Sequence, residues 1–163
     1  MSKWLAIVGC GVLLVAGCNG SIMQARVVGD HESAVAMPGV VTDRGAEVGA
    51  RIQWYEADFA GGPNETVSIG PYGAVPIDPN SLEALGLPGW ETPLGVDLKL
   101  GGYLSVDTEE SGTIMGPMVI ADRPITDNLS VSTVYEYTAF EDNTEKIGYQ
   151  DQSRVYFGAA YRF

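Results

Sequence analysis

The chain has 163 residues, enough for one domain with its own core, and a formal net charge of −12 at pH 7. This acidic balance argues against nucleic acid as a partner and against polybasic binding to anionic lipid. The two cysteines, Cys10 and Cys18, both precede the strand patterns described below, so they predict no disulfide within the folded domain.

The first residues have the pattern of an export signal. Lys3 provides a short positive region, and Leu5 to Val15 is an apolar run too short to cross a membrane as a helix, which takes roughly 20 residues. The run closes on Val15-Ala16-Gly17-Cys18, which resembles the lipobox of bacterial lipoproteins. That resemblance implies cleavage before Cys18 and acylation of its sulfur; the alternative is an ordinary secretory signal or an N-terminal anchor.

Strand patterns begin weakly and then become regular. Gln24 to Val28 and Ala34 to Val41 suit a short hairpin around Asp30-His31-Glu32. Four later segments alternate between two residue faces over a length near the roughly 9–11 residues of a membrane-crossing strand, whereas strands of soluble proteins have about 5–6. These segments are Ala46 to Tyr55, Val96 to Asp107, Leu129 to Phe140 and Ser153 to Phe163.

Two further strands are predicted where prolines interrupt the pattern. Val67 to Ile77 contains Pro71 and Pro76, and Thr113 to Ile125 contains Pro117 and Pro124. Proline lacks the N–H of a ladder bond, so we expect each proline at a strand end, an edge or a bulge.

The connections have hairpin character. Thr126 to Asn128 reads as a tight turn, Thr108 to Gly112 as a short acidic loop, and Glu141 to Gln152 as a long polar loop. In the long 78–93 connection, Ser81 to Leu85 predicts one short helix that ends at Gly86.

The last eight residues, YFGAAYRF, resemble the C-terminal signal of bacterial outer-membrane β-barrels. The matching positions are Tyr156, Gly158, Tyr161 and the final Phe163. Ala121 to Phe140 is similar to a hairpin of small barrels of the OmpA/OmpX type. The resemblance implies an all-β, antiparallel up-and-down barrel of eight strands in the outer membrane, with membrane lipids and the barrel-insertion machinery as partners. Six strands are well marked, and residues 19–44 would supply the other two.

The resulting domain organisation has three parts. Residues 1–17 are the predicted signal peptide, 18–45 the lipidated N-terminal segment with room for the first short strands, and 46–163 the barrel domain. An eight-stranded barrel is just wide enough for side chains to fill it, so we expect a lumen filled by charges of both signs and no useful pore. The predicted lumen charges are Glu47, Arg51, Asp97, Lys99, Glu136, Arg154 and Arg162. An aromatic border of the outer face is expected from Trp54, Tyr103, Tyr137, Tyr161 and Phe163.

Catalytic chemistry has little support in the sequence. His31 and Ser33 form a His-x-Ser pair that resembles the one in barrel lipid deacylases, but the pair lies in a polar stretch near the N terminus. One histidine and no free cysteine predict no metal or cofactor site. The sequence therefore favours a non-enzymatic outer-membrane barrel lipoprotein, anchored through Cys18, with an envelope structural or surface-interaction role.

Three alternatives remain open at this point. The first is a lipid-modifying outer-membrane hydrolase that uses His31 and Ser33. The second is a lipid-tethered soluble β-barrel that binds a small apolar ligand. The third is an incomplete sheet that forms a composite barrel with other copies of the chain.

Overall fold

The computed structural model describes residues 22–30, 33–59, 62–78, 95–108, 113–141 and 152–163. These residues form eight strands that close into a barrel, in which each strand pairs antiparallel with its sequence neighbour and β1 pairs with β8. The strands are β1 (Ile22–Gly29), β2 (Ser33–Val41), β3 (Glu47–Phe59), β4 (Gly62–Pro76), β5 (Asp97–Asp107), β6 (Thr113–Pro124), β7 (Leu129–Glu141) and β8 (Gln152–Arg162). The predicted all-β, up-and-down barrel of eight strands is confirmed.

The residues just given include no helix that is long and apolar enough to span a membrane. The short helix predicted at residues 81–85 lies outside them.

The weakly marked N-terminal segment supplies the two strands needed for closure. β1 and β2 form a hairpin in which Val28 faces Val35. Asp30 holds the turn, since its carboxylate accepts a hydrogen bond of 2.6 Å from the backbone N–H of Ser33. Because β1 also pairs with β8, a single chain completes the barrel and no second copy is needed to close it.

The connections between the strands lie at the two ends of the barrel. At the first rim lie Ile22, the tight turns 42–46 and 125–128, the longer connection between β4 and β5, and the C terminus. Gly45 adopts a φ of 79° in the first of these turns, a conformation that favours glycine. Three hydrogen bonds fix the C terminus there. The Phe163 N–H donates to the Met23 carbonyl at 2.9 Å, the Arg162 N–H donates to the Asn128 carbonyl at 2.8 Å, and the Asn128 side chain donates to the Arg162 carbonyl at 2.8 Å. The second rim is the opposite end, where residues 30–32, 60–61, 108–112 and 142–151 connect the strands.

The barrel buries charged side chains inside and exposes large apolar side chains on its outside. Arg51 and Glu136 are completely buried inside, whereas Val48 is 52 % exposed, Leu100 51 % and Phe157 65 % on the outside. Side chains alternate between these two faces along each strand, since successive residues of a strand point to opposite sides of the sheet. The same outward face carries further exposed apolar side chains: Ile69, Val75, Leu104, Val106, Val131, Tyr135, Tyr137, Val155 and Tyr161.

The structure corrects one predicted orientation. Tyr103, expected in the aromatic border of the outer face, lies inside the barrel and is only 6 % exposed. Its position on β5 is an even number of residues from Lys99, which is also buried, so the two must share the inner face. Tyr137, Tyr161 and Phe163 are exposed on the outside, and Trp54 is half-buried there.

Prolines inside strands mark interruptions of the ladder. Pro71 keeps its register with β3, but on the β5 side the pairing skips from Ile69 to Tyr72. The glycine before it is required, because a Cβ on Gly70 would lie 1.8 Å from the Leu104 carbonyl oxygen. The same arrangement recurs at Gly116-Pro117 between β6 and β7. These prolines stand at interior kinks, while the other two predicted positions are strand ends: Pro76 and Pro124.

Candidate functional site

The barrel interior near the first rim contains a buried ionic network, here called the lower network. Arg26 of β1 contacts Glu47 of β3 at 2.7 Å and Asp122 of β6 at 2.6 Å. Lys99 of β5 contacts the same two carboxylates, at 2.5 Å and 2.8 Å. Two cations and two anions from four strands therefore neutralise one another inside the barrel.

Neutral side chains complete the lower network. The Ser132 hydroxyl accepts from Arg26 Nε at 2.7 Å and donates to Asp122 at 2.7 Å. Gln24 donates to Glu47 at 3.1 Å and accepts from Arg162 Nε at 3.3 Å. Satisfying the remaining polar atoms in this way is what makes a buried ionic cluster tolerable.

An apolar layer separates the lower network from a second network. Tyr72 of β4 belongs to this layer and lies over two glycines of the neighbouring strands β2 and β3: a Cβ on Gly39 would lie 2.8 Å from the Tyr72 hydroxyl, and one on Gly49 would lie 2.8 Å from its ring. The other buried members of the layer are Met37, Met118, Ile120 and Val134. The order of residues along a strand places this layer between the two networks. On β7, Val134 lies between Ser132 of the lower network and Glu136 of the second network.

The upper network crosses the barrel from β3 to β7. Arg51 donates through Nε and Nη2 to the two carboxylate oxygens of Glu136, at 3.0 Å and 2.7 Å. Its guanidinium carbon lies 4.1 Å from the ring centre of Tyr103, a cation–π contact. Gln53 accepts from Arg51 at 2.9 Å and donates to Tyr156 at 3.1 Å. A bidentate pair of this kind fixes both side chains in one geometry.

Two polar contacts lie nearer the second rim. Tyr55 donates to Asp107 at 2.6 Å. Arg154 of β8 donates to the Ser33 hydroxyl at 3.1 Å and lies 3.8 Å from Asp30. Arg154 thus joins β8 to the β1–β2 turn, just beyond the last backbone pair between β1 and β8, which is Gly29 with Phe157.

The predicted lumen charges fall into three groups in the structure. Glu47, Arg51, Lys99 and Glu136 are buried in the two networks. Arg154 and Arg162 are half-buried, one toward each rim. Asp97 is exposed, at the first residue of β5.

Sequence reasoning missed two members of the lower network, Arg26 and Asp122. Arg26 lies in β1, whose short pattern had been too weak to assign faces, although Gln24 and Arg26 alternate with apolar neighbours. Asp122 lies close to the end of β6, where Pro124 obscured the alternation. In each strand the missed residue is separated by an even number of positions from other inward-facing residues. This alternation was the signal from which the sequence could have placed it inside.

A cavity of about 630 Å³ opens at the first rim. Lys99 and Arg162 line it from the lumen side, and Arg44 and Asp97 from the rim. Its apolar lining includes Ile22 and Val41. The lower network therefore lies directly beneath a solvent-accessible mouth.

The four residues of the predicted C-terminal signal divide between the two faces. Tyr156 is buried inside, and a Cβ on Gly158 would lie 2.0 Å from the Val27 carbonyl oxygen of β1, so this close approach requires glycine. Tyr161 and Phe163 are exposed outside and contact each other edge to face, with ring centres 5.0 Å apart.

The proposed catalytic pair is only half described. Ser33 is buried, donates to Asp30 at 3.0 Å and accepts from Arg154, while His31 lies outside the described residues. Cys18 lies outside them as well. Within the described ranges, no group of three or more histidine, cysteine or acidic residues is arranged to hold a metal ion.

No protein-family model, no curated protein and no solved structure matches this chain. The geometry nevertheless defines what the interior can do chemically. An ion moving along the axis would have to separate two hydrogen-bonded ionic networks and cross the apolar layer between them. Side chains of the two networks and of the apolar layer fill the interior of the barrel.

Proposed function

We propose that the protein is a non-enzymatic β-barrel lipoprotein of the bacterial outer membrane, with an envelope structural or surface-interaction role. The observation that carries this proposal is the combination of charged side chains buried within the barrel and large apolar side chains exposed on its outside. This distribution suits a surface in contact with lipid and an interior filled by mutually satisfied polar groups.

The outer surface supports a membrane environment in more detail. An exposed apolar patch on a soluble monomer rarely exceeds a few hundred Å², whereas here large apolar side chains are exposed on strands around the barrel, including Ile69, Leu100, Val131 and Val155. Tyr161 and Phe163 at the first rim would sit at one membrane interface, where aromatic side chains are enriched. A tethered soluble barrel would expose this same surface to water.

The two termini suit attachment to one leaflet. Ile22, the first residue of β1, and Phe163 both lie at the first rim. Cys18 precedes Ile22 by four residues, a length of chain that spans at most about 14 Å. An acyl group on Cys18 would therefore enter the bilayer beside the rim that carries the terminal aromatic.

The filled interior and the acidic connections point to a role outside the lumen. Both ionic networks cross the barrel, so we expect no ion conduction. Connections 108–112 and 142–151 carry clusters of acidic residues and join strands at the second rim. With the first rim in the periplasm, these connections face the cell exterior, where they would meet surface partners.

The membrane assignment is tested by extraction and gel mobility. Envelopes from cells that make the Cys18→Ser variant are washed with alkaline carbonate, and unboiled and boiled samples are compared in SDS. We expect the variant to stay in the membrane fraction and the unboiled barrel to migrate differently from the heated chain. Release by carbonate, with no heat-dependent shift, would instead indicate a soluble domain tethered by lipid.

The orientation is tested with a matched pair of cysteine variants. Glu110→Cys lies in a connection at the second rim, and Asp127→Cys lies in a tight turn at the first rim. In intact cells a membrane-impermeant maleimide should label Glu110→Cys and should label Asp127→Cys only after the outer membrane is opened. The reverse pattern would contradict the proposed orientation.

The absence of catalysis has its own test. Ser33→Ala should leave the lipid A and phospholipid profiles of the cells unchanged. A lipid product that disappears in this variant, while the barrel is still inserted, would favour the hydrolase alternative.

A further inference from the structure

Three buried polar atoms of the upper interior have no hydrogen-bond partner among the described residues. They are Arg51 Nη1, Ser68 Oγ and Ser105 Oγ. All three residues are completely buried. A buried polar group without a partner destabilises a fold, so three of them in one interior require an explanation.

The three residues lie around one glycine on three adjacent strands. Arg51 of β3 is paired in register with Gly70 of β4. Ser68 precedes Gly70 by two residues, on the same inner face. On the other side, a Cβ on Gly70 would lie 2.7 Å from the Ser105 Cα of β5. Because Gly70 has no side chain, the β5 backbone approaches β4 closely here, with the Leu104 carbonyl oxygen 1.8 Å from where a Cβ would lie, and this brings Ser105 next to Arg51 and Ser68.

The Nη1 group of Arg51 is a donor with no acceptor within the described part of the chain. Nε and Nη2 are bound to Glu136 and Gln53, and the face of the group lies over Tyr103. Nη1 carries two N–H groups that can only donate, and each serine contributes an O–H donor. The cluster is therefore rich in donors and matches a compact group that accepts several hydrogen bonds at once.

We infer that Arg51, Ser68 and Ser105 form a buried site for one compact hydrogen-bond acceptor, either a water molecule or a halide ion, inside the β3–β5 wall. The charge of Arg51 is already balanced by Glu136, which suits a neutral water. The four donor hydrogens suit a halide. Either ligand would accept hydrogen bonds from Arg51 Nη1 and from at least one of the two serine hydroxyls. This site concerns the interior alone and does not depend on the membrane assignment.

Crystals grown in sodium bromide test the site directly. We expect density at hydrogen-bond distance, about 2.7–3.3 Å, from at least two of the three atoms. An anomalous peak at that position identifies a halide, and density without one identifies water. Protein groups occupying the place, or no density between the three atoms, would overturn the inference.

Thermal unfolding of the detergent-solubilised protein gives an independent test. If an acceptor is bound, at least one of the variants Ser68→Ala and Ser105→Ala should lower the Tm by roughly 2–4 °C, because it removes a hydrogen bond. Ser130→Ala, at a half-buried serine near the first rim, is the matched control and should leave the Tm unchanged. An unchanged or higher Tm in both site variants would show that the hydroxyls are unpaired and would contradict the inference.

Discussion

Arg51 on β3 and Glu136 on β7 meet across the full width of the barrel, through two hydrogen bonds of 3.0 Å and 2.7 Å. The two side chains are separated by 85 positions in the chain and come from strands on opposite walls. Their pairing links the two halves of the sheet directly, in addition to the ladder that runs around it.

Breaking this pair should destabilise the barrel strongly. Glu136→Leu leaves the Arg51 guanidinium buried without its counter-charge, which typically costs about 3–5 kcal/mol. Urea unfolding in detergent should show this loss. The double variant Arg51→Met with Glu136→Leu should recover much of it, because neither charge remains. A double variant no more stable than Glu136→Leu would contradict the view that the unpaired charge is the cause.

The lower network should respond to removal of one cation. Lys99→Met leaves Glu47 and Asp122 with Arg26 alone, so a buried negative charge is uncompensated, and we expect a loss of about 3 kcal/mol in the free energy of unfolding. Arg123→Met, at an exposed residue of the same rim, is the control and should change stability by less than about 0.5 kcal/mol. If Lys99→Met and Arg123→Met changed the free energy of unfolding equally, the buried position of Lys99 would contribute nothing to stability.

Gly49 should not tolerate a side chain. A Cβ there would lie 2.2 Å from the Pro38 carbonyl oxygen and 2.6 Å from the Gly39 Cα, both backbone atoms that cannot move away easily. We expect Gly49→Ala to cost about 1–3 kcal/mol. In Gly73→Ala the nearest atom is 3.6 Å away, an ordinary contact, so this variant should unfold like the wild type. Comparable unfolding midpoints for the two variants would refute the predicted clash.

A charge on the outer face distinguishes lipid from water. Leu104 is exposed on the outside of β5. In lipid, Leu104→Arg should cost about 2–4 kcal/mol near the bilayer midplane and reduce the inserted fraction. In water, an exposed substitution should change stability by less than about 0.5 kcal/mol. Asp127→Arg, in the turn at the first rim, serves as the control that should insert normally in either case.

Sequence alternation was sufficient to predict most strands closely. β5 was predicted from Val96 and begins at Asp97, and β6 was predicted to end at Ile125 and ends at Pro124. The signal is strong there because each strand has one apolar and one mixed face, and the two-residue period assigns every side chain once one is placed. The parity rule also puts Tyr103 with Lys99, and it overrides the expectation that an aromatic borders the outer face.

Local period and composition were sufficient to predict six strands, most side-chain directions within them and the acidic character of the connections. The resemblance to small outer-membrane barrels supplied the count of eight strands, because the N-terminal pattern was too short to assign faces. Which charges meet could be seen only in the folded barrel. Arg26 with Asp122, and Arg51 with Glu136, are brought together by closure of the sheet, which places distant strands on facing walls. The structure also explains how Pro71 can lie inside β4: Gly70, the residue before it, lets this strand approach β5 closely.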